Sequence, residues 1–297
     1  MLAGVILRVI LCAVLSSPTL AVGQDKLSVY TVNYPLQYFA QRIAGEHAAV
    51  TFPPPGDADP AFWQPSVEII TGYQQADLVL LNGADYAKWV DRVSLPRRKL
   101  VDTSTEFRDR YIHVKAGATH SHGPGGDHSH TGTAFTTWLD FKQAAEQARA
   151  IAAALIQQRP QWKDDFANNL AVLEADLLAL DQQIKTMVAA KPGQPLLASH
   201  PVYQYFQRRY GLNLRSVLWE PDEFPSETLW AGLEQILKGH PAGWMLWEGK
   251  PNPQSVQRLR GMGVESIVFN PAGNRPDEGD FLSVMQQNLK NLQRAYQ

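Results

Sequence analysis

Gln161 to Ala190 reads QWKDDFANNLAVLEADLLALDQQIKTMVAA, and this stretch restricts the fold more than any other. Phe166, Leu170, Leu173, Leu177, Leu180, Ile184 and Met187 recur at spacings of three and four, which is one face of an α-helix. Charged and amide side chains fill the opposite face. Pro160 suits the entry of such a helix and Pro192-Gly193 ends it. At 1.5 Å per residue the run spans roughly 40 Å, the width of a whole globular protein. Periodicity alone also allows a long surface helix within one domain. The flanks favour a rigid rod between two lobes.

Both flanks read as strands alternating with helices. On the N-terminal side, LSVYTV (27–32) and DLVLL (77–81) are strands, separated by a helix beginning at Pro35 and one beginning at Ser66. The almost wholly apolar second strand suits a sheet covered on both faces. On the C-terminal side, PLLAS (195–199), 214–218, WMLW (244–247) and 266–269 are strands, with helices between them and a terminal helix from Gly279. Such alternation predicts parallel sheets, and ligands of parallel sheets bind beyond the carboxyl ends of the strands. Asp59, His200, Glu248 and Asn270 all follow such ends or sit in the loops leaving them.

A chain of 297 residues, 44% hydrophobic and 19% charged, has material for two cores. Residues 1–23 differ from the rest: Arg8 is their only charge, an apolar run follows it, and small residues close it at Ala21-Val22-Gly23. This is the pattern of a cleaved secretory signal peptide; an uncleaved anchor is the alternative. Lipid attachment at Cys12 needs a small residue before it, and Leu11 stands there. Cys12 is the single cysteine, so the mature chain has no disulfide and no thiolate ligand. With 27 basic and 29 acidic residues, the charge balance suggests neither nucleic acid nor an anionic membrane surface. The expected organisation is a leader (1–23), an N-terminal lobe (24–160), a linking helix (161–190) and a C-terminal lobe (191–297). The protein is expected to be periplasmic or secreted, and a monomer.

Between Gly117 and Gly132 the chain reads GATHSHGPGGDHSHTG, which holds four of its eight histidines: His120, His122, His128 and His130. Two His-x-His pairs on a glycine-rich backbone can wrap a borderline divalent cation such as zinc. A solubilising loop with an accidental histidine count is the plainer explanation. The concentration of half the histidines in 16 residues argues against it.

With these pieces the chain resembles the solute-binding subunits of zinc and manganese ABC importers over nearly its whole mature length. The matching segments are Tyr34-Pro35-Leu36, Asp59-Pro60 before Pro65-Ser66, Ala76-Asp77-Leu78-Val79 leading to Asn82-Gly83, and the histidine loop. Trp138-Leu139-Asp140, the rod, Ser199-His200, Tyr205-Phe206, Tyr210-Gly211-Leu212 and Gly279-Asp280 continue the order. The resemblance implies an α/β fold of two Rossmann-like lobes with parallel sheets joined by one long rigid helix, the cluster A-I type. It also implies zinc as cargo, with manganese or another divalent metal less favoured, and an ABC permease as partner.

The family grips its metal with three histidines and a carboxylate. At the matching positions this sequence has Ala61, Thr136, His200 and Asn270, so the resemblance implies a degenerate cleft in which His200 alone survives. Zinc contact then falls chiefly to the loop. Glu248 is the candidate substitute ligand, while Glu220, Asp222 and Glu223 read rather as solvated loop residues. His47, His113 and His240 read as structural. A second reading keeps the fold but gives the cleft a non-metal ligand, with Phe62, Trp63 and Trp247 as an aromatic lining; a metal buffer, chaperone or interaction module is a variant of it. An enzyme is not expected, since the chain has no H-E-x-x-H, no G-x-S-x-G and no cysteine nucleophile.

Overall fold

The structure, a computed structural model, describes residues 26–114, 119–121, 127–129 and 132–297. The expected leader, His122 and His130 lie outside the described residues.

The N-terminal lobe is built on β1 (Leu27–Thr31), β2 (Ala48–Thr51), β3 (Leu78–Leu81) and β4 (Leu100–Asp102), paired in parallel in the order β2-β1-β3-β4. Leu78, Val79 and Leu80 are all buried, as a strand covered on both faces requires. Helix α1 (Tyr34–Ala44) starts at Asn33, whose side chain accepts from the Leu36 amide, and α2 (Val67–Gln75) starts at Ser66, which caps Ile69. Two short antiparallel pairs follow. β5 (His113–Val114) pairs with β8 (Gly132–Thr133), and β6 (Thr119–Ser121) pairs with β7 (Asp127–Ser129), placing His120 and His128 opposite one another in register.

Helix α3 (Phe141–Gln158), capped by Asp140, leads through a tight turn at Pro160–Trp162 into the rod, α4 (Lys163–Ala190). The rod is unbroken for 28 residues, about 42 Å. Its buried stripe is Phe166, Leu173, Leu177, Leu180, Ile184 and Val188. Leu170 and Met187, expected on that stripe, sit half-buried at its rims. Four residues after Ile184, Val188 continues the line more closely than Met187 does.

The C-terminal lobe repeats the plan. Its strands are β9 (Pro195–Ala198), β10 (Asn213–Ser216), β11 (Trp244–Trp247) and β12 (Glu265–Val268), all parallel in the order β10-β9-β11-β12. Helices α5 (Gln204–Tyr210), α6 (Glu227–Gly239) and α7 (Pro253–Gly261) connect them, and α8 (Phe281–Tyr296) ends the chain. Gly211 closes α5 in the left-handed conformation (φ +65°), where a side chain would be strained. The aromatic lining expected of Trp247 is corrected here. Trp247 is fully buried with Trp219 and Trp230 in a core of the lobe's own, because β11 is covered on both faces.

One apolar core runs from the N-terminal lobe through the rod to β9, α5 and α8. The rod packs on α1 and α3 and also on α5 and α8. Phe281 of α8 meets Tyr38 and Phe39 of α1 at ring distances of 5.7 and 5.3 Å. Polar ties reinforce this contact. The Tyr205 hydroxyl donates to the Ala134 carbonyl (2.9 Å) and accepts from the Ile112 amide (3.2 Å). The Trp138 indole donates to the Pro271 carbonyl (2.7 Å), and the Asn274 amide donates to the Pro55 and Ala58 carbonyls (2.7 Å each).

Candidate metal centre

Three strand ends of the C-terminal sheet meet at one point. After β9, the Ser199 amide donates to the Leu246 carbonyl of β11 (2.8 Å), and the Ser199 carbonyl accepts from the Trp219 amide beyond β10 (2.8 Å). Continuing the ladder past the strands in this way brings the next residues, His200, Glu220 and Glu248, side by side. The Val202 amide donates to the His200 carbonyl (3.0 Å), turning the chain ahead of α5.

His200 Nδ1 stands 3.7 Å from Glu220 Oε1 and 3.7 Å from Glu248 Oε1. Two donors of a tetrahedral zinc, each 2.0–2.2 Å from the ion, lie roughly 3.3–3.6 Å apart. The observed spacing is close to that. Among the described residues these three form the one group whose His, Cys, Asp or Glu ligand atoms converge, all within 4.8 Å of one another. The imidazole is buried, its side chain 2% exposed, while Glu220 and Glu248 retain 16% and 23%. The imidazole is thus buried behind the two carboxylates, which line an entry path.

That path is a cavity of about 440 Å³ between the lobes, lined by Glu220 and Glu248 and by Asp57, Asp59, Thr136 and Asn270. Tyr86, Phe135 and Trp138 form its aromatic wall. No lysine or arginine lines it, so its field is negative. Two tyrosines register that field. Burial pushes the Tyr203 hydroxyl well up and the Glu248 carboxylate adds to the shift; burial does the same at Tyr86, with Asp59 adding.

The structure brings His200 and Glu248 together as metal-capable partners. It also adds Glu220, which the sequence placed among solvated acids; Asp222 and Glu223 are exposed, as expected of such residues. The three remaining positions of the resemblance serve the fold. Ala61 is buried, its amide bonded to Asp59 Oδ1 (2.9 Å). Thr136 Oγ1 donates to the Val202 carbonyl across the lobes. Asn270 Oδ1 accepts from the Ala272 amide (2.7 Å), while its backbone is held from both sides by the Asn288 side chain. The structural assignments of the other histidines hold for His47, stacked on Trp162 and 2.9 Å from Asp165, and for His240, bonded to the Leu196 carbonyl. Phe62 lines a neighbouring cavity of about 330 Å³ that reaches the β5–β8 pair; Trp63 lines neither cavity.

Solved structures share this architecture. The metal-dependent lipoprotein YcdH of Bacillus subtilis superposes with a TM-score of 0.78 at 22% identity, covering 92% of this chain and 100% of that one. The Zn(II)-bound ZnuA-like domain of Streptococcus pneumoniae AdcA superposes at 0.77 with 21% identity, covering 92% and 99%. At such identities the likeness establishes the fold. In sequence, the high-affinity zinc uptake system protein ZnuA of Bacillus subtilis is 25% identical over 288 residues, 90% of this chain and 87% of that protein. The zinc-binding lipoprotein AdcA of Streptococcus pneumoniae is 24% identical over 286 residues; the match takes 92% of this chain but 56% of AdcA, so the chain spans about half that relative's length. The family model for the zinc-uptake complex component A, periplasmic, matches residues 29–295. With the match running from the first strand to the last helix, the chain belongs to the zinc-uptake component A family.

Proposed function

We propose that the protein is a solute-binding subunit of an ABC importer, not an enzyme, and that it carries a divalent cation, zinc foremost, at His200, Glu220 and Glu248. The observation that carries this reading is the convergence of one imidazole and two carboxylates at the edge of the interlobe cavity, their ligand atoms within 4.8 Å. The two carboxylates offset the cation's charge, and the neutral imidazole supplies the borderline donor that zinc favours. Compared with three histidines and an aspartate, this set is harder and binds zinc less tightly.

The histidine loop is a further zinc-contacting element through His120, His122, His128 and His130. In the organisation that fits this role, a leader (1–23) sends the chain out of the cytoplasm. A 24–160 lobe and a 191–297 lobe flank the cavity, and a membrane permease receives the cation. Among the described residues no helix is long and apolar enough to cross a membrane.

Zinc titration of protein lacking 117–131, by competition with a chelating dye, tests the assignment. The deletion variant should keep its fold, since the β5–β8 pair closes the base of that segment. It should bind one zinc. His200→Ala, Glu220→Gln and Glu248→Gln should each weaken that binding by at least about tenfold, the lower end of what losing even a supporting group at a metal site costs. Binding that survives all three substitutions would overturn the reading.

A further inference from the structure

The cavity is far too large for an ion alone. At about 440 Å³ it lies in the range of small-molecule sites, whereas a water occupies only about 30 Å³. All three metal-capable side chains come from the C-terminal lobe, at the ends of β9, β10 and β11. The facing lobe supplies cavity wall instead: the Tyr86, Phe135 and Trp138 rings, the Asp59 carboxylate, and Thr136, whose hydroxyl is spent on the Val202 carbonyl. A cation held by three donors takes at least one more, from water or a bound molecule, and among the described residues no His, Cys, Asp or Glu of the facing lobe brings a ligand atom within 4.8 Å of all three.

From this geometry, and resting on the function proposed above, we infer that the cleft takes its cation as a chelate with a small amine- or imidazole-bearing molecule, of amino-acid size. The chelator supplies the nitrogen donors that the facing lobe lacks, and its body packs against the aromatic wall. Charge selects its class. Four carboxylates, Asp57, Asp59, Glu220 and Glu248, line a cavity with no lysine or arginine, so a neutral imidazole, or an amine that gives up its proton as its lone pair binds the cation, is favoured and a polycarboxylate is repelled. Gly273 keeps the aromatic end open. A Cβ built there would point at the Tyr86 hydroxyl (3.6 Å) and the Trp138 ring (3.7 Å), in ordinary contact and without backbone strain.

Zinc binding to the protein lacking 117–131, which removes the histidine loop, measured at matched free Zn²⁺ with and without L-histidine, tests this. L-Histidine should raise the apparent affinity at least tenfold, and native mass spectrometry should show one zinc and one histidine added together. Citrate should give no such gain. Gly273→Leu, which fills the aromatic end, should remove the histidine effect while leaving binding of zinc alone unchanged; Gly273→Ala, a smaller change, should weaken the effect if the leucine variant fails to fold. Zinc bound 1:1 through His200 with no ternary mass and no gain from histidine would overturn the chelate while leaving the metal site standing, as would an equal gain from citrate. Binding of neither zinc nor its histidine complex through His200 would overturn both.

Discussion

Trp230 shows what one residue contributes. It lies fully buried between Trp219, at a ring distance of 4.5 Å, and the Arg258 guanidinium, 4.4 Å from its ring centre. Arg258 is positioned by Glu227 at the start of the same helix, through paired hydrogen bonds of 2.5 and 2.7 Å. Trp219 is bonded through its amide to Ser199 and directly precedes Glu220. The tryptophan core thus adjoins the strand end that carries Glu220, and Trp247 directly precedes Glu248. Trp230→Ala should cost about 3–5 kcal/mol, the usual loss for a large aromatic cavity. Denaturant unfolding would measure it, and a loss below about 1 kcal/mol would show that the core collapses around the gap.

Among the elements, the rod and α5 are joined by a buried ion pair that also reaches α3. Arg209 donates to both Asp181 oxygens (2.8 and 2.7 Å), the Tyr210 hydroxyl donates to the same carboxylate (3.0 Å), and Lys185 stands 3.0 Å away. Arg209 also lies 3.5 Å from Asp140, the cap of α3. Burial alone would raise the Asp181 carboxyl. The bonds from Arg209, Lys185 and Tyr210 outweigh it, and the carboxyl falls below its ordinary value. A carboxyl depressed in the folded state contributes stability above its unfolded pKa, about 3.9, and loses it as pH falls through the folded pKa. Asp181→Asn should therefore destabilise at pH 7 by about 3–5 kcal/mol, as expected for breaking a buried pair. The gap between variant and parent should narrow below about pH 4. Thermal melts across pH would show this, and a gap independent of pH would refute the charge argument.

For the whole molecule, the unbroken rod, the common core and the ties at Tyr205, Trp138 and Asn274 resist hinge motion together. A helix without glycine or proline inside it bends far less readily than extended crossovers do. Scattering profiles with and without zinc should nearly superimpose, apart from small changes around the cavity. A closure large enough to change the radius of gyration clearly would sink this expectation.

How far each feature was legible follows the range of the interactions behind it. The rod, the apolar strand at Leu78–Leu81 and the helix start at Ser66 rest on contacts within a few residues, and they stand where period and turn chemistry place them. The pattern of residues along the chain was also enough to indicate the family. Spacing could not show that residues 200, 220 and 248 meet, because that depends on β9 lying between β10 and β11. Glu220 carries the same local signal as the exposed Asp222, and only the ladder bond at Trp219 separates them. Asp181 reads as one more charge on the rod's outer face until α5 brings Arg209 to it. Period and caps are local properties written residue by residue. Strand order and helix packing join residues far apart in the chain, and in this protein they decide which acids become ligands, which hold the fold together and which remain in water.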